Sequence, residues 1–129
     1  MTVSTQSSTE FVDITAQLRD LVKESGITDG VCYVYVPHTT AAVTLNESHD
    51  PTVARDIDIS LSRLVPRIGD YLHRESNSAA HIKATLVGSS VTLFVDDGTL
   101  FLGRWQGVYF CEFDGPRIRK VKVRMAGLP

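Results

Sequence analysis

The sequence predicts an α+β protein with at least five strands and three helices, ending in an antiparallel meander. Three observations carry this. Short β-branched and aromatic runs recur, above all Val31 to Val36 and Ser90 to Val95. Three other segments place apolar residues at helical spacing next to capping or stop signals. The last third of the chain folds back through the turn signals Asp97-Gly98 and D-G-P-R, residues 114 to 117.

Taken in order, the Ser/Thr-rich residues 1 to 9 read as a flexible tail, and residues 10 to 129 as a single domain. A helix is expected from Thr15, with Leu18, Leu21 and Val22 as its apolar stripe and Gly26 as its stop. Val31 to Val36 is apolar on both parities, as in a strand covered on both faces by another layer or another subunit. Pro37 ends that pairing just before His38, and Ala41 to Leu45 forms the next strand, followed by Asn46 and Glu47. Asp50-Pro51 opens a helix carrying Val53, Ile57, Leu61 and Leu64, which Pro66 closes. Asn77-Ser78 caps a shorter helix with Ile82 and Leu86 inward and Gly88 as its stop. Strands Ser90 to Val95, Leu100 to Phe113 and Ile118 to Met125 follow. In the last of these, Arg119 breaks an apolar face of Val121, Val123 and Met125.

Composition narrows the function classes. The chain has 129 residues, 43% apolar and 22% charged, which suits one soluble domain with a single core. A formal charge of −2 gives no general drive toward nucleic acid or an anionic membrane, so neither is expected as a partner. Lys120, Lys122 and Arg124 read as a solvated face. No apolar run approaches the about 20 residues that span a bilayer. The N-terminal residues have neither the basic nor the apolar region of a secretory leader, so a cytoplasmic location is expected. Cys32 and Cys111 lie in strand-like stretches without Cys-x-x-Cys spacing and read as buried, reduced thiols.

Three polar islands carry the candidate chemistry: residues 36 to 47, 71 to 81, and Gly103 to Gln106. His38 stands at a strand end beside Thr39 and Thr40, where a sheet can hold a ligand group rigidly. The alternative is a histidine bonded within its turn. His81 falls in the first turn of its helix, where free amides and the helix dipole favour a neutral imidazole suited to a metal or an anion. His73 lies eight residues earlier, across a loop, so His38, His73 and His81 form a candidate divalent-metal set, though at no standard zinc spacing. Glu47 is a candidate acid/base, or a simple helix-dipole partner. Gln106 either pairs with backbone or reads a ligand, and Arg104 and Arg117 are candidate anion contacts. His49 reads as surface.

The segments H-T-T-A-A-V-T-L-N-E, D-P-x-V-x-x-D, Y-L-H, N-x-x-A-H-I-K-A, G-S-S and L-x-L-G-R-W-Q-G-V-Y-F-C-E-F-D-G-P-R, in this order, resemble the YjbQ-like family. The family is also known as secondary thiamine-phosphate synthase. The resemblance runs over about residues 10 to 127, with Arg104 standing where a threonine is common. It implies an α+β fold built around a β-sandwich of mainly antiparallel strands, assembled as a homotrimer. It further implies a site near subunit boundaries, built from positions matching His38, Thr39, Glu47, His73, Asn77, His81 and Gln106. The implied activity is a weak thiamine-phosphate synthase reaction on phosphorylated metabolites, with Zn²⁺ or Mg²⁺ as a natural helper. In that scheme Glu47, His38 and His81 are catalytic, while Thr39, Asn77, Arg104 and Gln106 bind substrate. Two other classes fit the same residues: a non-catalytic protein that binds a metal or metabolite in the His-rich pocket, and histidines that only pack an interface.

Overall fold

β-Branched and aromatic runs become strands wherever a neighbouring run can pair with them, and the computed structural model, which describes residues 1–129, contains nine. In chain order the elements are β1 (Thr2–Ser4), β2 (Glu10–Asp13), α1 (Thr15–Ser25), β3 (Gly30–Tyr35), β4 (Ala41–Glu47) and α2 (Pro51–Leu64). There follow α3 (Ser78–Val87), β5 (Ser90–Asp96), β6 (Thr99–Phe101), β7 (Gln106–Glu112), β8 (Ile118–Lys120) and β9 (Lys122–Gly127). Every ladder is antiparallel. The strand orders are β2-β7-β4, β6-β5-β3-β9 and the small pair β1-β8. The α+β class, with its three helices, is as the sequence predicts.

The two larger sheets pack face to face. Cys32 and Val34 of β3 and Leu93 and Val95 of β5 meet Val43 of β4 and Val108 and Phe110 of β7, with Leu18 and Val22 of α1 in the same core. The alternate residues of β7 point the other way. Tyr109 and Cys111, with Ala42 of β4, pack beneath Ala54 of α2 and Ala80 and Ala84 of α3. The layers are therefore sheet, sheet, helices, and the central sheet is buried on both faces.

Local signals set the element ends. Asp13 Oδ1 accepts from the Thr15 amide at 2.9 Å and its hydroxyl at 2.6 Å, which fixes the start of α1. Gly26, at φ 71°, ends it in the left-handed conformation that glycine adopts without a Cβ clash. Asp50 caps α2 by accepting from the Thr52 amide at 2.9 Å, with Pro51 in the first turn. Asp97 and Gly98, at φ 50° and 75°, make the two-residue turn between β5 and β6.

Several expectations need correction. Residues 2 to 4 are not a loose tail: β1 pairs with β8, and Val3 is buried in the core. A single inward valine and a waiting strand edge suffice to hold them. β4 runs on to Glu47 because β7 pairs with it as far as Gln106, so Asn46 and Glu47 lie inside the ladder. The long run from Leu100 divides into β6 and β7, and the final run divides at Val121, whose side chain enters the core. The helix faces also differ. Leu64 is 75% exposed and Ala54 is the buried residue of α2. In α3, Ile82 and Leu86 face outward, while Ala79, Ala80, Lys83 and Ala84 face the sheet. The sheet beneath already carries Tyr109, Phe113 and Phe11, which leaves room for methyl groups rather than leucines. On the outer face of β3 the chain buries Val31 but leaves Tyr33 and Tyr35 each 49% exposed, so the cover expected on both faces is incomplete within one chain.

Candidate functional site

His38 emerges where Pro37 ends β3, and its surroundings are built by β8. The Lys120 amide donates to His38 Nε2 at 2.9 Å, so the imidazole accepts at that nitrogen and its proton sits on Nδ1. Partial burial, reinforced by the Arg119 charge, lowers the His38 pKa and favours this neutral form. The adjacent Thr40 is tied down from below. Arg119 donates to the Thr40 hydroxyl at 2.8 Å and to its carbonyl at 3.3 Å. Arg119 also donates from Nε to both oxygens of the fully buried Glu112, at 2.9 and 3.1 Å, and forms a second contact through its NH2 group. Thr5 adds a hydroxyl to Glu112 at 2.7 Å. Burial alone would push the Glu112 carboxyl up, but the hydrogen bonds from Arg119, Thr5 and the Asp114 amide outweigh it and hold the group below its ordinary value.

His81, on α3, faces His38 across an open hollow of about 360 Å³ that Thr39, Thr85 and Ser89 also line. The hollow contains no lysine or arginine. On its other side His81 meets His73 edge to face, ring centroids 5.3 Å apart, in a second hollow shared with Tyr71 and Ser78. His73 Nε2 lies 3.8 Å from Glu75. His81 is thus the common wall of two hollows, with His38 in one and His73 in the other. The chain gathers no group of three His, Cys, Asp or Glu side chains that could hold a metal ion. The set His38, His73 and His81 therefore does not fit a three-ligand metal within one chain, and His38 Nε2 is already engaged.

The remaining candidates stand elsewhere. Glu47 and Gln106 are cross-strand partners at the far end of β4, roughly 20 Å along the strand from the His38 loop. Gln106 Oε1 accepts from the Gly103 amide at 2.8 Å and closes the G-R-W-Q turn, which leaves the side-chain NH2 as the end available to a ligand. Arg104 stacks over Trp105 at 4.8 Å, and His49 lies against the same indole at 5.2 Å. Asn77 turns toward neither hollow: its Nδ2 donates to Asp114 at 3.0 Å, and Arg117 holds the same carboxylate oxygen at 3.0 Å.

Sequence reasoning missed two buried charges, Glu112 and Lys83, and noted Arg119 without a partner. Glu112 and Arg119 could have been suspected as opposite charges set seven residues apart inside apolar runs. Lys83 gave no signal, because a lysine in a helix is ordinarily solvated, yet it is only 5% exposed.

A two-sheet sandwich with a helical layer and a histidine-lined edge defines a small α+β protein with an open polar site. The chain belongs to the UPF0047 YjbQ-like family, whose description matches residues 1–128. It is 47% identical over 125 residues to the UPF0047 protein MJ1081 of Methanocaldococcus jannaschii, covering 97% of this chain and 91% of that one. It is 43% identical over 126 residues to the UPF0047 protein YugU of Bacillus subtilis, covering 97% and 96%. Among solved structures, a yjbq/upf0047 protein of Clostridium acetobutylicum superposes with a TM-score of 0.96 at 50% identity, covering 98% of each chain. A Sulfolobus solfataricus protein described as YbjQ-like and of unknown function superposes with a TM-score of 0.95 at 35% identity, covering 99% of this chain and 94% of that one.

Proposed function

We propose that this chain is a small homotrimeric enzyme with weak thiamine-phosphate synthase-type activity on phosphorylated metabolites. One observation carries the reading: apart from Asn77, the polar groups the family resemblance assigns to one site stand in two clusters at opposite ends of β4. A second copy that sets its Glu47 end against the His38–His81 hollow would complete the site. Exposed apolar residues support self-association, with Tyr33, Tyr35, Phe94 and Phe101 on the outer sheet face and Leu64, Ile68, Leu72, Ile82 and Leu86 on the helical side.

In the proposed reaction the thiazole nitrogen forms a bond to the pyrimidine methylene carbon. The C–O bond to the diphosphate breaks, and pyrophosphate leaves with the electron pair. His81 and the neutral His38, carrying its proton on Nδ1, would donate hydrogen bonds to the leaving oxygens, and Glu47 would serve as acid/base. Thr39, Arg104 and Gln106 would hold the substrate. A divalent ion, Zn²⁺ or Mg²⁺, would need ligands from a neighbouring copy beyond the His73–His81 pair, so metal content belongs to a test on the assembled protein.

The decisive assay supplies the pyrimidine diphosphate and the thiazole phosphate and follows thiamine phosphate by mass spectrometry. Slow turnover is expected, falling 10²-fold or more in His81→Ala, about the contribution of one positioned acid/base group. Unchanged turnover in a folded His81→Ala oligomer would overturn the reading. The absence of any cationic side chain in the His38–His81 hollow favours one alternative, a protein that binds a metal or metabolite without turning it over. A stoichiometric copurifying ligand that yields no product on long incubation would establish it.

A further inference from the structure

α3 carries a buried cation on its other face. Lys83 follows His81 by two residues and so projects from the opposite side of the helix. It is 5% exposed and lines a partly open polar cavity of about 280 Å³. The ammonium has one hydrogen-bond partner, Ser62 Oγ at 3.3 Å, and rests 5.5 Å from the centre of the Phe113 ring. No carboxylate comes within ion-pair distance of it. Asp58 acts on it only at longer range, opposing the burial that lowers its pKa. A buried ammonium has three protons to place and ordinarily demands an anion.

The rest of the cavity suits such an anion. Arg67 stands at its wall as a second, exposed cation, and Ser62 and Ser76 contribute hydroxyls, while the Thr9 hydroxyl already donates to Asp58 at 3.2 Å. Asp114, also on the wall, has its charge met by Arg117 at 3.0 Å. The first turn of α3 borders the cavity through Ala79, and its N-cap residue makes no side-chain capping bond. One acceptor is also waiting: Asn77 Oδ1 is buried without a partner while its Nδ2 is engaged by Asp114. Two cations favour a dianion over a single carboxylate, and an orphaned acceptor requires a donor on the same ligand. The volume gives room for on the order of nine water-sized groups.

We propose that the cavity between α3 and the end of α2 is a binding site for a small hydroxylated phosphate monoester, with Lys83 and Arg67 on the phosphate and Asn77 Oδ1 accepting from a ligand hydroxyl. This site is distinct from the His38–His81 hollow and does not depend on the reading of that hollow. Titration calorimetry with glycerol 3-phosphate tests it on the intact protein, with inorganic phosphate and glycerol as companions. Glycerol 3-phosphate should bind saturably at one per chain, inorganic phosphate more weakly, and glycerol not at all. Lys83→Met, which keeps the apolar stem, should lose at least tenfold in affinity, and Arg67→Gln, at an exposed position, should lose severalfold. If Lys83→Met proves unfolded, Arg67→Gln decides. Affinity unchanged in Arg67→Gln, or unchanged in a folded Lys83→Met, would overturn the proposal, as would no saturable binding by the parent. Loss confined to His81→Ala would also overturn it, by assigning the phosphate to the other hollow.

Discussion

At the residue scale the buried pair Glu112–Arg119 is the most consequential feature, because it joins the core to the His38 loop. Neutralising one member leaves the other buried without its counter-charge, a loss of about 3–5 kcal/mol in comparable pairs. Glu112→Gln should therefore destabilise the protein by about that amount at neutral pH, read by urea denaturation. The pH dependence has a definite sign. The folded pKa of Glu112 lies below its ordinary value of 4.5, so its stabilisation is complete above that value and is lost as pH falls through the lowered one. Glu112→Gln should flatten that acid limb, and an unchanged limb would show that other carboxylates control it. The sequence disclosed half of this pair. Arg119 stood out as a charge on an apolar face and D-G-P-R as a turn, but nothing local shows that this turn brings Glu112 onto Arg119.

Strands and helices were legible where the signal is local and obscure where packing decides. Caps and turns are local: Asp50, Gly26 and Asp97-Gly98 do what their chemistry predicts. Which stripe of a helix turns inward is not local. α3 offers an Ile82–Leu86 stripe and an alanine stripe, and the aromatic bed beneath it selects the alanines. Strand length is likewise decided by the partner, which is why β4 reaches Glu47. Gly107 is the contact that allows this end of the ladder to close: a Cβ there would lie 2.5 Å from the Ser48 side chain and 3.0 Å from Thr15 Oγ1. Gly107→Ala should cost about 1–3 kcal/mol, the usual range for overpacking. It should also broaden the Glu47 and Gln106 amide resonances in NMR spectra; parent-like stability and spectra would show that the contact yields freely.

Seen whole, the chain carries the His38 and Glu47 groups at opposite ends of β4, and the sequence could not show this because the islands are adjacent only when read as text. Residues 38 and 47 are nine positions apart, yet an extended strand separates them along nearly its full length. If one copy completes another, inactive subunits should rescue each other. His81→Ala and Glu47→Gln, each inactive alone in the thiamine-phosphate assay, should regain a fraction of parent turnover after mixed refolding. No recovery in mixed oligomers that have demonstrably exchanged chains would place each site within one subunit. No helix of the chain is long and apolar enough to cross a membrane.

The two cysteines occupy different cores, Cys32 between the sheets and Cys111 beneath the helices, and both thiols are buried and free. Burial raises both pKa values, so neither sulfur offers a thiolate to an alkylating reagent while its layer stays closed. The molecule thereby carries a chemical clock in each compartment. The order in which iodoacetamide marks them reports whether the helices lift from the central sheet before the sandwich itself comes apart.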